Sequence, residues 1–328
     1  MTGAALLLPL ASLGGLAGPA RAQGELRDLV GPEFGTTSLR GDYRVTLFPD
    51  QPVAGQSADL GFVQHDFTLT TPLRQAAHDE WAASLFVREQ VFDTRAVLPD
   101  TGDRFPGQLW DVRLGTSYRH RFETGWIGAG TVTVGSPGDR PFAAADEVEL
   151  SATAALRVPR GERDAWLFFL NYSNARDFLA GIPLPGLGYA YEPSEALSAV
   201  VATGFVSLQY RPTETLTLTA SYVAIRTVDV RVTYQIFRPV RLWAGFDWTR
   251  ERYIRADRAA EDDRLFYYEK RVRVGVTVGL ARQLYVDVAG GYSFDRFYFE
   301  GEDYGDRRDS RIDVGSGPFA AVRLGLRF

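Results

Sequence analysis

Apolar residues in this chain recur at every second position, segment after segment, and nowhere with the period of a convincing amphipathic helix. Trp110, Val112, Leu114 and Tyr118 alternate with Asp111, Arg113, Gly115 and Ser117. Leu242, Ala244, Phe246 and Trp248 alternate with Trp243, Gly245 and Asp247, and Val148–Leu156, Leu216–Tyr222, Val272–Val278 and Leu284–Tyr292 repeat the pattern. A strand puts successive side chains on opposite faces, so each segment has one apolar and one polar face. Segments of about ten residues fit a tilted strand that crosses a bilayer. A soluble sandwich alternates too, so periodicity alone leaves both readings standing.

The last segment, Ala320–Phe328 (AAVRLGLRF), sets Val322, Leu324, Leu326 and Phe328 on one face, with Arg323, Gly325 and Arg327 on the other. It resembles the C-terminal signal strand of bacterial outer-membrane β-barrels, with Val322, Leu324, Leu326 and Phe328 as the membrane-insertion signal. The resemblance implies a periplasmic position for Phe328. It also implies two partners, outer-membrane lipid and the barrel-assembly machinery.

With that direction set, short periplasmic turns should alternate with longer outer loops. Ala281–Gln283, Phe237–Pro239, Arg211–Glu214, Pro159–Arg163 and Arg121–Thr124 fall on the periplasmic side and are short. Tyr298–Asp313, Tyr253–Arg264, Ser136–Asp146 and Asp93–Gly107 fall outside and are long and charged. Arg226-Thr227 is a short outer connection that departs from the rule.

The other end of the chain points the same way. Met1–Pro19 carries no charge, holds an apolar run at Ala4–Leu10, and is followed by Ala20-Arg21-Ala22, an A-x-A-like cleavage site. Pro9, Pro19 and several glycines argue against a spanning helix here. The expected organisation is a secretory signal peptide over 1–22, a periplasmic leader over 23–41, and one barrel domain over 42–328.

An internal echo supports closely spaced hairpins. Tyr191–Ser198 (YEPSEALS) parallels Tyr210–Thr217 (YRPTETLT), each with proline in a turn where no ladder hydrogen bond is lost. It predicts strands at Leu187–Tyr191, Leu197–Thr203 and Phe205–Tyr210, with Gly204 turning outside. The wider stretch Leu184–Tyr222 (LPGLGYAYEPSEAL…LQYRPTETLTLTASY) resembles an uncharacterised family of outer-membrane barrels, a likeness that implies fold and no site residues. The fold expected is all-β: a single closed antiparallel transmembrane barrel of about fourteen strands, within a range of roughly twelve to sixteen.

Aromatic residues near strand ends, such as Trp110, Tyr118, Trp126, Trp166, Tyr210 and Tyr234, suit headgroup depth. The polar faces then line the lumen. They carry Asp111, Arg113, Glu149, Arg231, Asp247, Arg271, Arg273, Asp287, Asp295, Arg323 and Arg327, with signs alternating between neighbouring late strands. Arg323 and Arg327 are the expected partners of Asp287 and Asp295. Such residues either lace the lumen with salt bridges or form facing charged walls that tune a pore.

Other chemistries lack support. The chain has no cysteine, so disulfides and thiolate metal sites are excluded. Net charge is −5 with the signs mixed, and no basic stripe suggests nucleic acid. Of the three histidines, only His65, beside Asp66, is placed to act as a base, and no nucleophile accompanies it. The acidic runs Asp257–Asp263 and Glu300–Asp306 lack the spacing of a calcium loop. The expectation is a non-enzymatic outer-membrane protein without cofactor or metal. The leading reading is a narrow passive channel for small polar solutes; the second is a non-conducting structural or surface-binding barrel.

Overall fold

A computed structural model describes residues 31–35, 37–176, 179–223, 227–308 and 311–328. The expected signal peptide lies outside the described residues. The first strands are β1 (Arg40–Pro52), β2 (Asp59–Gln75), β3 (Asp79–Phe92), β4 (Gln108–Arg121), β5 (Ile127–Gly138) and β6 (Glu149–Arg160). Next come β7 (Asp164–Ser173), β8 (Leu184–Ser194), β9 (Leu197–Ala202), β10 (Phe205–Tyr210), β11 (Leu216–Val223) and β12 (Thr227–Phe237). The chain ends with β13 (Val240–Tyr253), β14 (Arg264–Gly279), β15 (Leu284–Gly301), β16 (Ile312–Val314) and β17 (Gly317–Arg327).

From β1 to β15 each strand pairs antiparallel with the next, β15 pairs with β17, and β1 pairs with both β2 and β17. The sheet therefore closes into an antiparallel barrel of sixteen strands, with β16 outside the count. β16 lies beyond the end of β17, against Arg296–Tyr298 of β15 and Val53 after β1, so it prolongs one stave rather than adding another. Closure leaves no edge. The ladder hydrogen bonds are made within the wall, as lipid demands, because each orphan costs several kcal/mol there.

The count of about fourteen is thus corrected to sixteen. Alternation undercounts where the wall is irregular. Pro49 and Pro72 lie in β1 and β2 at shifts of register. In β14 and β15 the runs Phe266-Tyr267-Tyr268 and Phe297-Tyr298-Phe299 are buried on both faces. The echo region matches its expectation closely: β8, β9 and β10 are separate strands, and Gly204 makes the tight outer turn with φ +74°.

Both ends of the barrel chain, Arg40 and Phe328, lie together, and this end is called the inner end. The β2–β3, β4–β5, β6–β7, β8–β9, β10–β11, β12–β13 and β14–β15 turns all fall there and are short. The outer end carries the long connections at 93–107, 139–148, 254–263 and 302–316. The wall is uneven: β2, β14 and β15 have 17, 16 and 18 residues, whereas β9, β10 and β11 have 6, 6 and 8. A membrane strand needs only about ten, so the β13–β3 side projects well beyond the bilayer.

The outer surface is apolar. Leu114 and Val274 are each 62% exposed, and Val132, Val201, Val288 and Val322 are exposed with them. Exposed aromatics flank this band: Trp81, Tyr118, Trp126, Trp166 and Tyr210 toward the inner end, Tyr222 and Tyr292 toward the outer. Such a band is a hydrocarbon-facing surface with headgroup girdles. Val322, Leu324, Leu326 and Phe328 form one exposed row on it.

A charge placed on this band should be costly, while one on the opposite face should be tolerated. Val274→Arg is expected to lower unfolding stability in lipid vesicles by about 2–4 kcal/mol, and Thr153→Lys by less than about 1 kcal/mol. Denaturant titration followed by tryptophan fluorescence measures both. Equal costs would contradict the assigned faces.

Candidate functional site: the barrel interior

The face opposite the apolar band belongs to the interior, and its two sides differ in character. From β12 through β17 to β3 it bears large charged side chains. From β5 to β7 and on β11 it bears Thr131, Thr133, Ser151, Thr153 and Asn171, then Thr217, Thr219 and Ser221, all half-buried.

The charged side is held by ion pairs between neighbouring strands. Arg271 on β14 lies 2.6 Å from Asp247 on β13. Arg273 lies 2.6 Å from both Asp247 and Asp229, linking β14, β13 and β12. Asp287 on β15 accepts hydrogen bonds from the Trp243 indole at 2.8 Å and from Thr277, with Arg231 at 3.6 Å. Arg231 also stacks over Trp243, 3.9 Å from the ring centroid. On β4, Arg113 and Asp111 pair along the strand at 2.6 Å. Glu149 of β6 takes Arg252 at 2.5 Å.

Two expectations are corrected. Asp295 is not an interior residue. β15 carries a bulge there, with Asp295 at φ +54° and the register shifting between its neighbours. An extra residue reverses the alternation, so Arg296 points inward while Asp295 pairs on the outer face with Lys270 at 2.7 Å. Nor does Arg323 pair with Asp287, although the two stand opposite in the ladder. Asp287 is already taken up by Trp243, Thr277 and Arg231, and Arg323 turns to Asp42 of β1 at 2.7 Å. Arg327 is inward but stands at the inner end opposite Arg40, far along the strand from either acid.

A second network crosses the lumen. Arg88 of β3, 1% exposed, pairs with Asp66 of β2 at 2.6 Å and with Glu251 of β13. Along the wall, β14, β15, β17, β1 and β2 lie between β3 and β13. Gln64 donates to Asp66 at 2.8 Å, Gln90 to Gln64 at 3.0 Å, and Tyr253 to Glu251 at 2.6 Å. Sequence reading missed Asp42, Asp66, Arg88 and Glu251. The signal was present for Asp42, which alternates with the outward Tyr43 and Val45. Glu251 reaches the network only because β13 bends.

That bend roofs the outer mouth. Past Thr249, β13 has no β12 partner among the described residues, and it leans across to β5 on the opposite wall. Ile254 donates to the Pro137 carbonyl at 2.9 Å and accepts from the Asp139 amide at 3.2 Å. A Cβ on Gly138 would lie 2.4 Å from the Ile254 carbonyl oxygen, so glycine permits the contact. Arg255 then pairs with Glu300 at 2.8 Å and Asp103 at 3.3 Å, and Arg258 with Asp146 and Glu147 at 3.1 and 3.2 Å. Hydrogen bonds involving Thr101 and Arg255 hold the Asp103 carboxyl below the usual carboxylate range.

Beneath the roof, the β14–β4 side of the mouth is packed with aromatic rings. Phe48 stacks on Phe62 at 4.4 Å and Tyr267 on Tyr298 at 4.5 Å, while Phe92 and Phe105 meet edge-on at 5.0 Å. The loop after β3 contributes Ala96, Leu98 and Phe105 to this cluster. At the inner end the short segment before β1 reaches the mouth. Phe34 lies between the guanidinium groups of Arg119 and Arg121, 4.3 and 4.6 Å from its centroid, and the Glu33 and Pro32 carbonyls accept from them.

The histidines stand away from the interior. His65 faces lipid and bonds to the Tyr43 hydroxyl at 2.8 Å. His120 pairs with Asp79 at 2.8 Å near the inner rim.

No family model matches the chain, the stretch 184–222 included, and no curated protein matches it in sequence. Several solved barrels align over most of its length. An outer-membrane channel from Pseudomonas putida F1 is 11% identical over 92% of this chain and 98% of its own, with a TM-score of 0.39. The Pseudomonas putida toluene transporter TodX is 9% identical over 90% of each chain, with a TM-score of 0.39. The translocator domain of the autotransporter NalP from Neisseria meningitidis is 11% identical over 94% and 96%, with a TM-score of 0.32. All three scores fall short of a close superposition, and the role of this chain rests on its own residues.

Removing Arg88 should leave Glu251 buried without its ion-pair partner, and Asp66 with Arg44, its ladder neighbour on β1, as the cation beside it. Arg88→Ala is expected to cost about 3–5 kcal/mol of unfolding stability. Adding Asp66→Asn and Glu251→Gln to it should recover most of that loss. If the single variant costs under about 1 kcal/mol, the lumen-crossing network is not a buried ion triad.

Proposed function

We propose that this protein is a passive bacterial outer-membrane channel that lets small polar solutes diffuse along the hydroxyl-bearing side of its lumen. One observation carries the reading. The inward Thr and Ser residues of β5, β6 and β11 keep accessible surface along the height of the wall, while across from them Asp66, Arg88, Asp247, Arg271, Asp287 and the aromatic cluster are buried. Hydroxyl groups donate and accept, so they replace the hydration of a polar solute without trapping it by charge. The paired arginines opposite hold their own carboxylates and keep the walls apart. No cofactor or catalytic step enters this reading. The expected export route uses the 1–22 signal, and the assembly machinery reads the row Val322, Leu324, Leu326 and Phe328.

A second reading, a non-conducting surface-binding barrel, draws on the roof formed by residues 254–263 and the loop at 93–107. Planar-bilayer recording of the refolded protein separates the two. The channel reading expects discrete conductance steps that Thr153→Trp reduces by about two-fold or more, because an indole narrows the hydroxyl side. A protein that migrates as a folded, heat-modifiable barrel yet stays silent would favour the second reading.

A further inference from the structure

Charge at the inner end of the lumen is not balanced as it is in the middle. We infer that the inner mouth is an arginine-lined binding site for small oxyanions, carboxylate- or phosphate-bearing, and that it makes the passage anion-selective. The selectivity half of this inference rests on the channel reading; the binding half does not.

The placement follows from register. Arg40 opens β1 and stands opposite Arg327 at the end of β17. Arg241 is the second residue of β13, inward like Trp243 two positions on. Arg121 and Arg157 share Ile127 as ladder partner, so they sit at one level on β4 and β6. These side chains share the face that carries Asp42, Asp111 and Asp247 further in. Inward carboxylates at this level are fewer. Glu80 on β3 is held by Arg119 at 2.9 Å, and Glu192 on β8 accepts from Ser198.

Two of the arginines are occupied by the chain itself. Arg119 and Arg121 grip Phe34 and donate to carbonyls of the segment before β1, which shows that this rim takes oxygen acceptors. The others remain. Arg157 is 7% exposed and donates to the Arg163 carbonyl at 3.1 Å. Among the described residues, Arg157, Arg241 and Arg327 form no ion pair with a carboxylate. A guanidinium presents a planar fork of donors that matches carboxylate and phosphate oxygens and cannot shed its proton. A cluster of such groups at a low-dielectric mouth focuses its field on the opening and concentrates anions there. Rings of Arg or Lys are the means by which pores select anions. By contrast, Arg231, Arg271, Arg273 and Arg323 in the middle of the lumen each hold a carboxylate, and Arg44 stands opposite Asp66 in the ladder, so selection is assigned to the inner rim.

The test uses the refolded full chain in planar bilayers under a potassium chloride gradient, with the Arg241→Gln/Arg327→Gln double variant beside it. The inference expects the reversal potential to show chloride preference, with the permeability ratio falling at least about threefold in the variant. Cation preference, or chloride preference unchanged in the variant, overturns the rim's role while leaving the channel standing. Absence of steps overturns the channel and, with it, the selectivity. Binding is then read separately by phenylglyoxal modification of the detergent-folded protein, mapped by peptide mass spectrometry. Tripolyphosphate should slow modification of Arg157, Arg241 and Arg327 several-fold relative to potassium chloride of equal ionic strength. Equal rates overturn the oxyanion site.

Discussion

The pairing of β1 with β17 is the contact on which the rest of this molecule depends. An open sheet of sixteen strands would expose two rows of unpaired amides and carbonyls to hydrocarbon, where no water can satisfy them. Closure removes both rows and fixes which face of every strand looks inward. That single choice puts Val274, Leu114 and Val322 against lipid and Arg271, Asp247 and Arg323 in the lumen. It also brings Asp42 beside Arg323, a pair between strands at opposite ends of the sequence.

Within the closed wall, uneven strand length shapes the interior. The tall side, β13 to β3, outlasts the bilayer and leans inward, since its outer residues would otherwise lack neighbours. Its aromatic rings find those neighbours in one another and in the loop after β3. Arg88, Asp66 and Glu251 tie the lean from beneath, and Ile254 ties it from above at Pro137 and Asp139. The low side, β8 to β11, has no such excess. The asymmetry concentrates packing on one side of the mouth and leaves the accessible hydroxyl groups on β5, β6 and β11.

Much of this was legible because a barrel obeys local rules. Period-two alternation assigned faces, proline and glycine marked turns, and the parity of short and long connections gave direction. The strands around Tyr191 and Tyr210 emerged with their turn at Gly204 intact. Illegible features were those that break locality. Asp295 follows the inward series Asp287, Ala289, Gly291 and Ser293 in sequence, but one bulged residue puts it outside. Arg323 has Asp287 as ladder neighbour, yet the indole of Trp243 and the hydroxyl of Thr277 had already claimed that carboxylate. The runs at Phe266–Tyr268 and Phe297–Phe299 did carry a signal. Three aromatics in succession require cover on both faces, and Tyr304 supplies the outer cover while the lumen core supplies the inner.

Water should reach the hydroxyl side of the closed lumen while the opposite faces of the same strands meet lipid. The absence of native cysteine makes this directly testable. Single substitutions Thr153→Cys and Thr219→Cys, on the inward faces of β6 and β11, are compared with Val132→Cys and Val274→Cys on the outer band. Each protein is reconstituted in lipid vesicles and exposed to a charged, water-soluble maleimide. The two inward thiols should label rapidly and the two outward ones should be protected. Outward thiols that label as fast as the inward ones, or inward thiols that resist, would contradict this arrangement.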